Sequence, residues 1–170
     1  GGAELANSQL FLTQLCDLLD VPHPDVTTDN KEDDRYVFEK SVIFNNGDGT
    51  TSQGRVDLYR AGCFVLESKQ GSERKSEELA EMLATHTRTV SRRKGTAVRG
   101  TAAWNKAMQA ARKQAKGYAE AILDEWPPFL IVVDVGYCFD LYADFTGSGK
   151  NYLTFPDPRS FRIPLARLEE

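Results

Sequence analysis

The stretch from Gly54 to Gln70 constrains the fold of this chain more than any other part of the sequence. One apolar run ends at Asp57, a short turn follows at Arg60–Gly62, and the next apolar run ends at Glu67-Ser68-Lys69. Because the turn folds the second run back against the first, the pattern predicts a β-hairpin. Two carboxylates and a lysine are thereby brought to one end of a sheet.

Side chains alternate across a strand, so Glu67 and Lys69 project from the same face of the second arm. Asp57 can meet them across the hairpin. Carboxylates held together repel one another unless a cation binds, and Mg²⁺ or Mn²⁺ suits two carboxylates with waters and a substrate phosphate. We expect Asp57 and Glu67 to hold the metal, with the Ser68 carbonyl as a further ligand. Taken singly, each charged residue fits equally well into a surface salt-bridge cluster at strand ends.

The rest of the pattern predicts helices packed on a mixed β-sheet, an α/β fold. The predicted helices cover Leu5–Leu19, Ser72–Met82 and Thr101–Trp126, with a last one opening near Asp157–Ser160. The predicted strands are Tyr36–Phe44, Arg55–Tyr59, Cys63–Lys69, Phe129–Val135, Phe139–Phe145 and Tyr152–Phe155. We interpret Thr85–Gly100 as an irregular insertion.

The charge distribution indicates a phosphate-binding face on a mildly acidic domain. The net charge is −4, yet no acidic residue occurs between Glu81 and Glu120. A local basic block of this kind can bind a nucleic-acid backbone, although charge alone is equally compatible with a solvated surface. The residues expected to contact DNA phosphates are Arg92, Arg93, Lys94, Arg99 and Lys113.

The other polar residues give weaker signals. Cys16, Cys63 and Cys138 lack disulfide or zinc-ligand spacing, so we expect buried, reduced thiols. Asp134 and Asp140 flank Gly136 at strand ends; a place near the site stays open for them, but solvation at the strand ends suffices to explain both. No apolar stretch has the length that crosses a bilayer, so no membrane partner is expected, and reduced thiols indicate a cytoplasmic protein.

The motifs carry a family resemblance. Asp57 with Glu67-Ser68-Lys69 resembles the PD-(D/E)xK nuclease superfamily, in which the acids bind metal and the lysine assists catalysis. Val56 stands where that motif usually has proline. Gln114 and Tyr118, one helical turn apart, match the QxxxY motif of its RecB-like members.

A longer resemblance covers most of the chain. Phe38–Lys40, Gly54–Leu58, Leu66–Lys69, Pro128–Asp134 and Phe139–Leu141 are similar to the amino-terminal domain of MmeI-like (type IIL) restriction-modification enzymes. The stretch from Gly71 to Gly100 is longer than that family leads us to expect.

This resemblance implies a restriction-endonuclease-like mixed sheet flanked by helices. Residues 1–170 would form a single nuclease domain excised from a longer chain, with a methyltransferase and a target-recognition domain in the same polypeptide. Double-stranded DNA would be the substrate, and S-adenosylmethionine would bind only outside this domain. Lys69 would assist the attacking water, Gln114 and Tyr118 would position it or the phosphate, and Glu39 would add a further acid. Two alternatives stay open: a non-catalytic module that binds DNA or another domain, and a repair or recombination nuclease.

Overall fold

The fold is described by a computed structural model that covers residues 2–30, 34–72, 97–122, 126–148 and 151–168. Its two helices are α1 (Gly2–Leu18) and α2 (Ala102–Ala121). Its strands are β1 (Tyr36–Asn45), β2 (Thr51–Arg60), β3 (Phe64–Lys69), β4 (Phe129–Asp134), β5 (Cys138–Ala143), β6 (Leu153–Thr154) and β7 (Arg162–Pro164). A short 3₁₀ helix, Leu165–Arg167, follows β7.

The described strands form one seven-stranded mixed sheet in the order β1-β2-β3-β4-β5-β6, with β7 also paired to β5. Strands β3 and β4 run parallel, and the other pairs are antiparallel. The parallel pair requires a crossover, and α2 lies within it. The predicted α/β class, a mixed sheet flanked by helices, is therefore confirmed.

Each face of the sheet carries its own apolar core. On one face α2 packs Trp104, Met108 and Ala115 against the strands, and on the other face α1 packs Leu12 and Phe11. Strand β3 shows how the sequence separates the two cores, because Val65 joins the α2 core while its neighbour Leu66 joins the α1 core. The β3 and β4 side chains are largely buried, as expected for strands covered on both faces.

The α2 helix begins and ends for local reasons. Thr101 is its N-cap, and the Thr101 hydroxyl accepts a hydrogen bond from the backbone N–H of Trp104. Buried residues recur at steps of four and three, which gives the helix one apolar stripe. The helix ends at Ala121, earlier than the predicted Trp126, because Ile122 turns to an extended conformation while its N–H still bonds to the Tyr118 carbonyl.

Two other sequence predictions meet different outcomes. The helix predicted to open near Asp157–Ser160 is wrong: those residues form a turn, and the chain continues into β7, where Ile163 pairs with Phe139 of β5. Most of the predicted Ser72–Met82 helix and Thr85–Gly100 insertion lies outside the described residues. At the edges of that gap, Ser72 and Val98 form a short parallel bridge.

The three cysteines are free, with Cys16 and Cys138 buried and Cys63 half-buried. Within the described ranges, neither helix combines the length and the apolar character that a membrane crossing requires.

Candidate active site

The candidate site lies where β2 and β3 separate. The two strands pair from Arg60–Phe64 to Leu58–Leu66, and continuing this register would place Asp57 opposite Glu67. The regular ladder stops before that pair. Side chains replace it: the backbone N–H of Asp57 donates to Glu67 Oε1 at 3.3 Å, and the backbone N–H of Ser68 donates to Asp57 Oδ2 at 2.7 Å. The two carboxylates therefore fill the fork between diverging strands.

A rotation of the neighbouring hairpin explains why the strands diverge there. Residues two apart in a strand normally share a face, but Val56 belongs to the α2 core whereas Leu58 belongs to the α1 core. In β1, Phe38 also packs in the α1 core, whereas Lys40 lies over the ring of Tyr59 in the α2 core. Both strands thus rotate about the level of Asp57.

Glu39 lies at this rotation in β1. The register pairs Phe38 with Leu58 and Lys40 with Val56, so the backbones of Glu39 and Asp57 are opposite each other. Glu39 has a φ of +53°, a strained conformation for a residue with a side chain. Its carboxylate lies 3.7 Å from the Arg55 guanidinium and lines a polar pocket of about 410 Å³ that also includes Asp34. The catalytic role predicted for Glu39 stays a prediction, and its side chain has a cationic neighbour of its own.

Asp57 is further held by Ser68. The Ser68 hydroxyl lies 2.9 Å from Asp57 Oδ2 and 3.1 Å from the hydroxyl of Ser8 on α1. Asp57 Oδ2 thus accepts a hydrogen bond from the Ser68 backbone N–H and also lies within hydrogen-bonding distance of the Ser68 hydroxyl. This double contact fixes the Asp57 carboxylate at the fork.

Glu67 is the more buried acid, with 4% of its surface exposed. Burial and the neighbouring Asp57 charge raise the pKa of Glu67 to about 8, and the Asp57 backbone hydrogen bond and the charge of Lys69 only partly oppose this. Near neutral pH, Glu67 is therefore favoured in its protonated form unless a cation offsets its charge.

Lys69 completes the set on β3. It shares strand parity with Glu67 and with Val65, which packs in the α2 core, so parity assigns Lys69 to the α2 side of β3. Its backbone is fixed from β4, because the Lys69 carbonyl accepts from the Val135 N–H at 2.8 Å. Asp134 is its partner in the parallel register.

Asp134 anchors the chain just beyond Lys69, a role that sequence reasoning missed. Asp134 is fully buried, and its carboxylate binds the Arg99 guanidinium through Nε at 2.8 Å and Nη2 at 3.0 Å. It also accepts from the Trp104 indole at 2.9 Å and the Gly71 N–H at 2.9 Å. A side chain at position 71 would meet Asp134 Oδ2 at 2.7 Å, so this close approach requires glycine. The expectation of a solvated strand-end carboxylate is wrong for Asp134.

It is also wrong for Asp140, which is fully buried and forms two bonds to Arg162 at 2.7 and 2.8 Å. Only the spacing of acids at strand ends could have indicated either residue, since the arginine partners are distant in sequence.

Gln114 and Tyr118 lie together on α2, as their spacing predicted. Gln114 Nε2 donates to the Tyr118 hydroxyl at 2.8 Å. The Tyr118 ring packs on Phe44 with centroids 5.6 Å apart, and it contacts β2 at Gly54, where a Cβ would lie 2.5 Å from Tyr118 Cε1. Gly54 is three residues before Asp57. Tyr118 thus packs against the hairpin beside the carboxylates, and Gln114 is bonded to its hydroxyl.

The predicted phosphate contacts divide into three groups. Arg92, Arg93 and Lys94 lie outside the described residues. Arg99 is committed to Asp134, with 13% of its side chain exposed, so the structure gives it an internal role. Lys113 is exposed on α2 and lines a groove with Gln114 and Tyr118.

Comparison with protein families assigns the chain. The model of the MmeI N-terminal domain matches residues 1–170, the whole of the sequence. This chain belongs to the MmeI N-terminal domain family. The family resemblance predicted from the motifs is therefore confirmed, and it associates the chain with restriction-modification enzymes. No curated protein and no solved structure matches the sequence.

In this MmeI N-terminal domain, the donor set at the fork suits a hard divalent cation. Asp57 and Glu67 offer carboxylate oxygens, and Mg²⁺ in proteins is commonly held by one or two carboxylates with waters and substrate phosphate. Across the described ranges, no cluster of three or more acidic, histidine or cysteine side chains is arranged around a common metal position. The remaining coordination would thus come from Ser68, water or substrate.

Proposed function

We propose that this MmeI N-terminal domain is a Mg²⁺-dependent DNA endonuclease domain that hydrolyses phosphodiester bonds. The observation that carries the proposal is the carboxylate pair at the fork, Asp57 with the nearly buried Glu67, followed by Lys69 on the same face of β3. A nearly buried carboxylate held beside a second, partly buried one is costly to a fold. A divalent cation bound at the fork would offset this cost.

The proposed roles follow from position. Asp57 and Glu67 would hold the metal, with the Ser68 carbonyl as a further ligand, and bound Mg²⁺ would polarise the phosphate and lower the pKa of water. Lys69 would stabilise negative charge that develops on the phosphate and orient the attacking water. Gln114, hydrogen-bonded to Tyr118, would orient the same water or a phosphate oxygen.

The partners follow from the same proposal. Double-stranded DNA would be the substrate, and methyltransferase and target-recognition functions, with S-adenosylmethionine, would belong to other domains of the enzyme. Sequence-independent affinity would come from cations that contact the phosphate backbone, so it would fall steeply with salt.

One observation favours a second candidate, a non-catalytic module that keeps the nuclease fold. The described residues supply two carboxylates and no third metal-binding side chain at the fork. A module of this kind would bind DNA or another domain equally well without Mg²⁺. A repair or recombination nuclease would share the chemistry of the first candidate and differ only in its biological substrate.

Plasmid cleavage separates the candidates. With Mg²⁺, we expect the wild-type chain to nick supercoiled DNA and Lys69→Ala to lose at least about 100-fold in rate, the scale seen when one group that stabilises developing charge is removed. The matched control is Arg159→Ala, which removes an exposed cation at the turn before β7. Both variants should retain the wild-type circular dichroism spectrum. Cleavage by Lys69→Ala at the wild-type rate would refute the proposed mechanism.

A further inference from the structure

A groove runs between α2 and the hairpin formed by β1 and β2. Its volume is about 500 Å³, and it is lined by Phe44, Ser52 and Gly54 of the hairpin and by Lys113, Gln114 and Gly117 of α2. Neither the carboxylate pair nor Lys69 lines it.

The shape of the groove is set by two glycines with opposite surroundings. At Gly54 the strand touches α2, since a Cβ there would lie 2.5 Å from Tyr118 Cε1 and 2.9 Å from Phe44 Cε2. At Gly117 a Cβ would meet no atom within 4 Å. The hairpin and the helix are therefore in contact at the floor, and the groove is open above Gly117.

The groove leads toward the fork. Gly54 is three residues from Asp57 along β2, which corresponds to about 10 Å of extended chain. Strand β3 pairs with β2 from Arg60 to Leu58, and the ladder does not include the β2 residues before Leu58. Among the described strands, the edge of β2 from Asp57 to Gly54 is therefore open to a polymer bound at Asp57.

The helical wall of the groove includes one lysine, Lys113, and α2 carries further cations along its length. Between Ala102 and Ala119, α2 carries Lys106, Arg112, Lys113 and Lys116 and no acidic residue. Lys106 and Lys113 are exposed, whereas Arg112 is directed to the sheet, where it donates to the Tyr152 carbonyl and lies over the Tyr142 ring. The exposed charge of this wall complements a polyanion.

We propose that this groove holds the sugar-phosphate backbone of the DNA strand that enters the fork, with Lys113 contacting a phosphate and Ser52 and Gln114 contacting the backbone beside it. The proposal rests on the proposed nuclease function, because that function requires a phosphodiester at Asp57 and Glu67. It assigns to the β1–β2 hairpin and Gly117 a substrate-binding role that the catalytic motif does not include.

Position 117 provides a matched pair of probes. Gly117→Glu and Gly117→Lys place side chains of similar length in the open groove with opposite charge, and both replace a helical glycine by a better helix former. We measure the affinity of the full chain for a short fluorescein-labelled DNA duplex by anisotropy, in EDTA and over a series of salt concentrations. Gly117→Glu should weaken binding at least about tenfold relative to Gly117→Lys.

Lys113→Ala tests the same groove without adding bulk. It should weaken binding and reduce the slope of log affinity against log salt by about 1, as expected for one lost phosphate contact. Arg159→Ala is the control that should leave the slope unchanged. Equal affinities for the two Gly117 variants, or an unchanged slope for Lys113→Ala, would overturn the groove assignment.

Mg²⁺ titration of the same protein variants, in buffer without EDTA, distinguishes failure of this inference from failure of the proposed function. If the wild-type chain binds Mg²⁺ through Asp57 but the Gly117 variants bind DNA equally, only the groove assignment fails. If the wild-type chain binds neither Mg²⁺ nor DNA, both proposals fail. Where the wild-type chain binds Mg²⁺, the Gly117 variants should bind it with the same affinity, since Gly117 is not at the fork.

Discussion

The Glu67→Gln variant tests whether the fold holds the two carboxylates of the fork close together at a cost in stability. Glu67 is 4% exposed and adjoins Asp57, and these two factors raise its pKa from 4.5 to about 8. Glutamine keeps the shape of the side chain and removes its charge. We therefore expect the variant to be more stable than the wild-type chain at alkaline pH in the absence of divalent metal.

The size and sign of this effect follow from linkage. The folded chain holds the Glu67 proton more tightly than the unfolded chain, so the wild type gradually loses stability as pH rises from 4.5 and has lost the full amount above about 8. A difference of about 3.5 pKa units corresponds to about 5 kcal/mol. This value is a ceiling, because relaxation and water penetration reduce the cost of a buried charge.

Urea unfolding followed by circular dichroism, in EDTA and at several pH values between 5 and 9, measures the effect. The stability advantage of Glu67→Gln over wild type should be small near pH 5 and grow until about pH 8. Glu120→Gln, an exposed carboxylate on α2, should change stability by less than about 0.5 kcal/mol throughout. A constant difference between the free energies of unfolding of wild type and Glu67→Gln across this pH range would show that burial and Asp57 do not raise the Glu67 pKa.

Two further predictions concern the supports of the site, both measured by urea unfolding. Asp134→Asn should lower the free energy of unfolding by about 3 kcal/mol, because it leaves the Arg99 guanidinium without its buried partner; adding Arg99→Met should cost little more, and fully additive losses would contradict the pairing. Gly54→Ala should cost about 1–3 kcal/mol because its Cβ would clash with the Tyr118 ring. The control Gly117→Ala, whose Cβ enters open space, should be neutral or stabilising, and equal effects at the two glycines would argue against the close contact.

Much of the site could be predicted because several of its residue pairs are only two or four positions apart in the sequence. Strand parity fixes the shared face of Glu67 and Lys69, and the spacing of Gln114 and Tyr118 fixes their contact on one helix face. The long α2 helix was also recognisable, since its apolar stripe repeats over several turns. These features depend on intervals of a few residues.

What the sequence could not provide depends on distant partners. Asp134 meets Arg99 across 35 residues and Asp140 meets Arg162 across 22, so neither burial nor pairing has a local signal. Strand β7 is three residues long, too short for a period to emerge, and its place is set by pairing with β5. The rotation of β1 and β2 at Glu39 was likewise not predicted, because it depends on which of the two cores each strand segment packs against.

The central claim is that Asp57 and Glu67 form a divalent-cation site, and isothermal titration calorimetry with Mg²⁺ and Mn²⁺ tests it most directly. The wild-type chain should bind the metal, and Asp57→Asn, which keeps an acceptor for the Ser68 N–H but removes the charge, should bind it at least about tenfold more weakly. Glu120→Gln should titrate like wild type. Identical metal binding by wild type and Asp57→Asn, or none by either, would contradict the account.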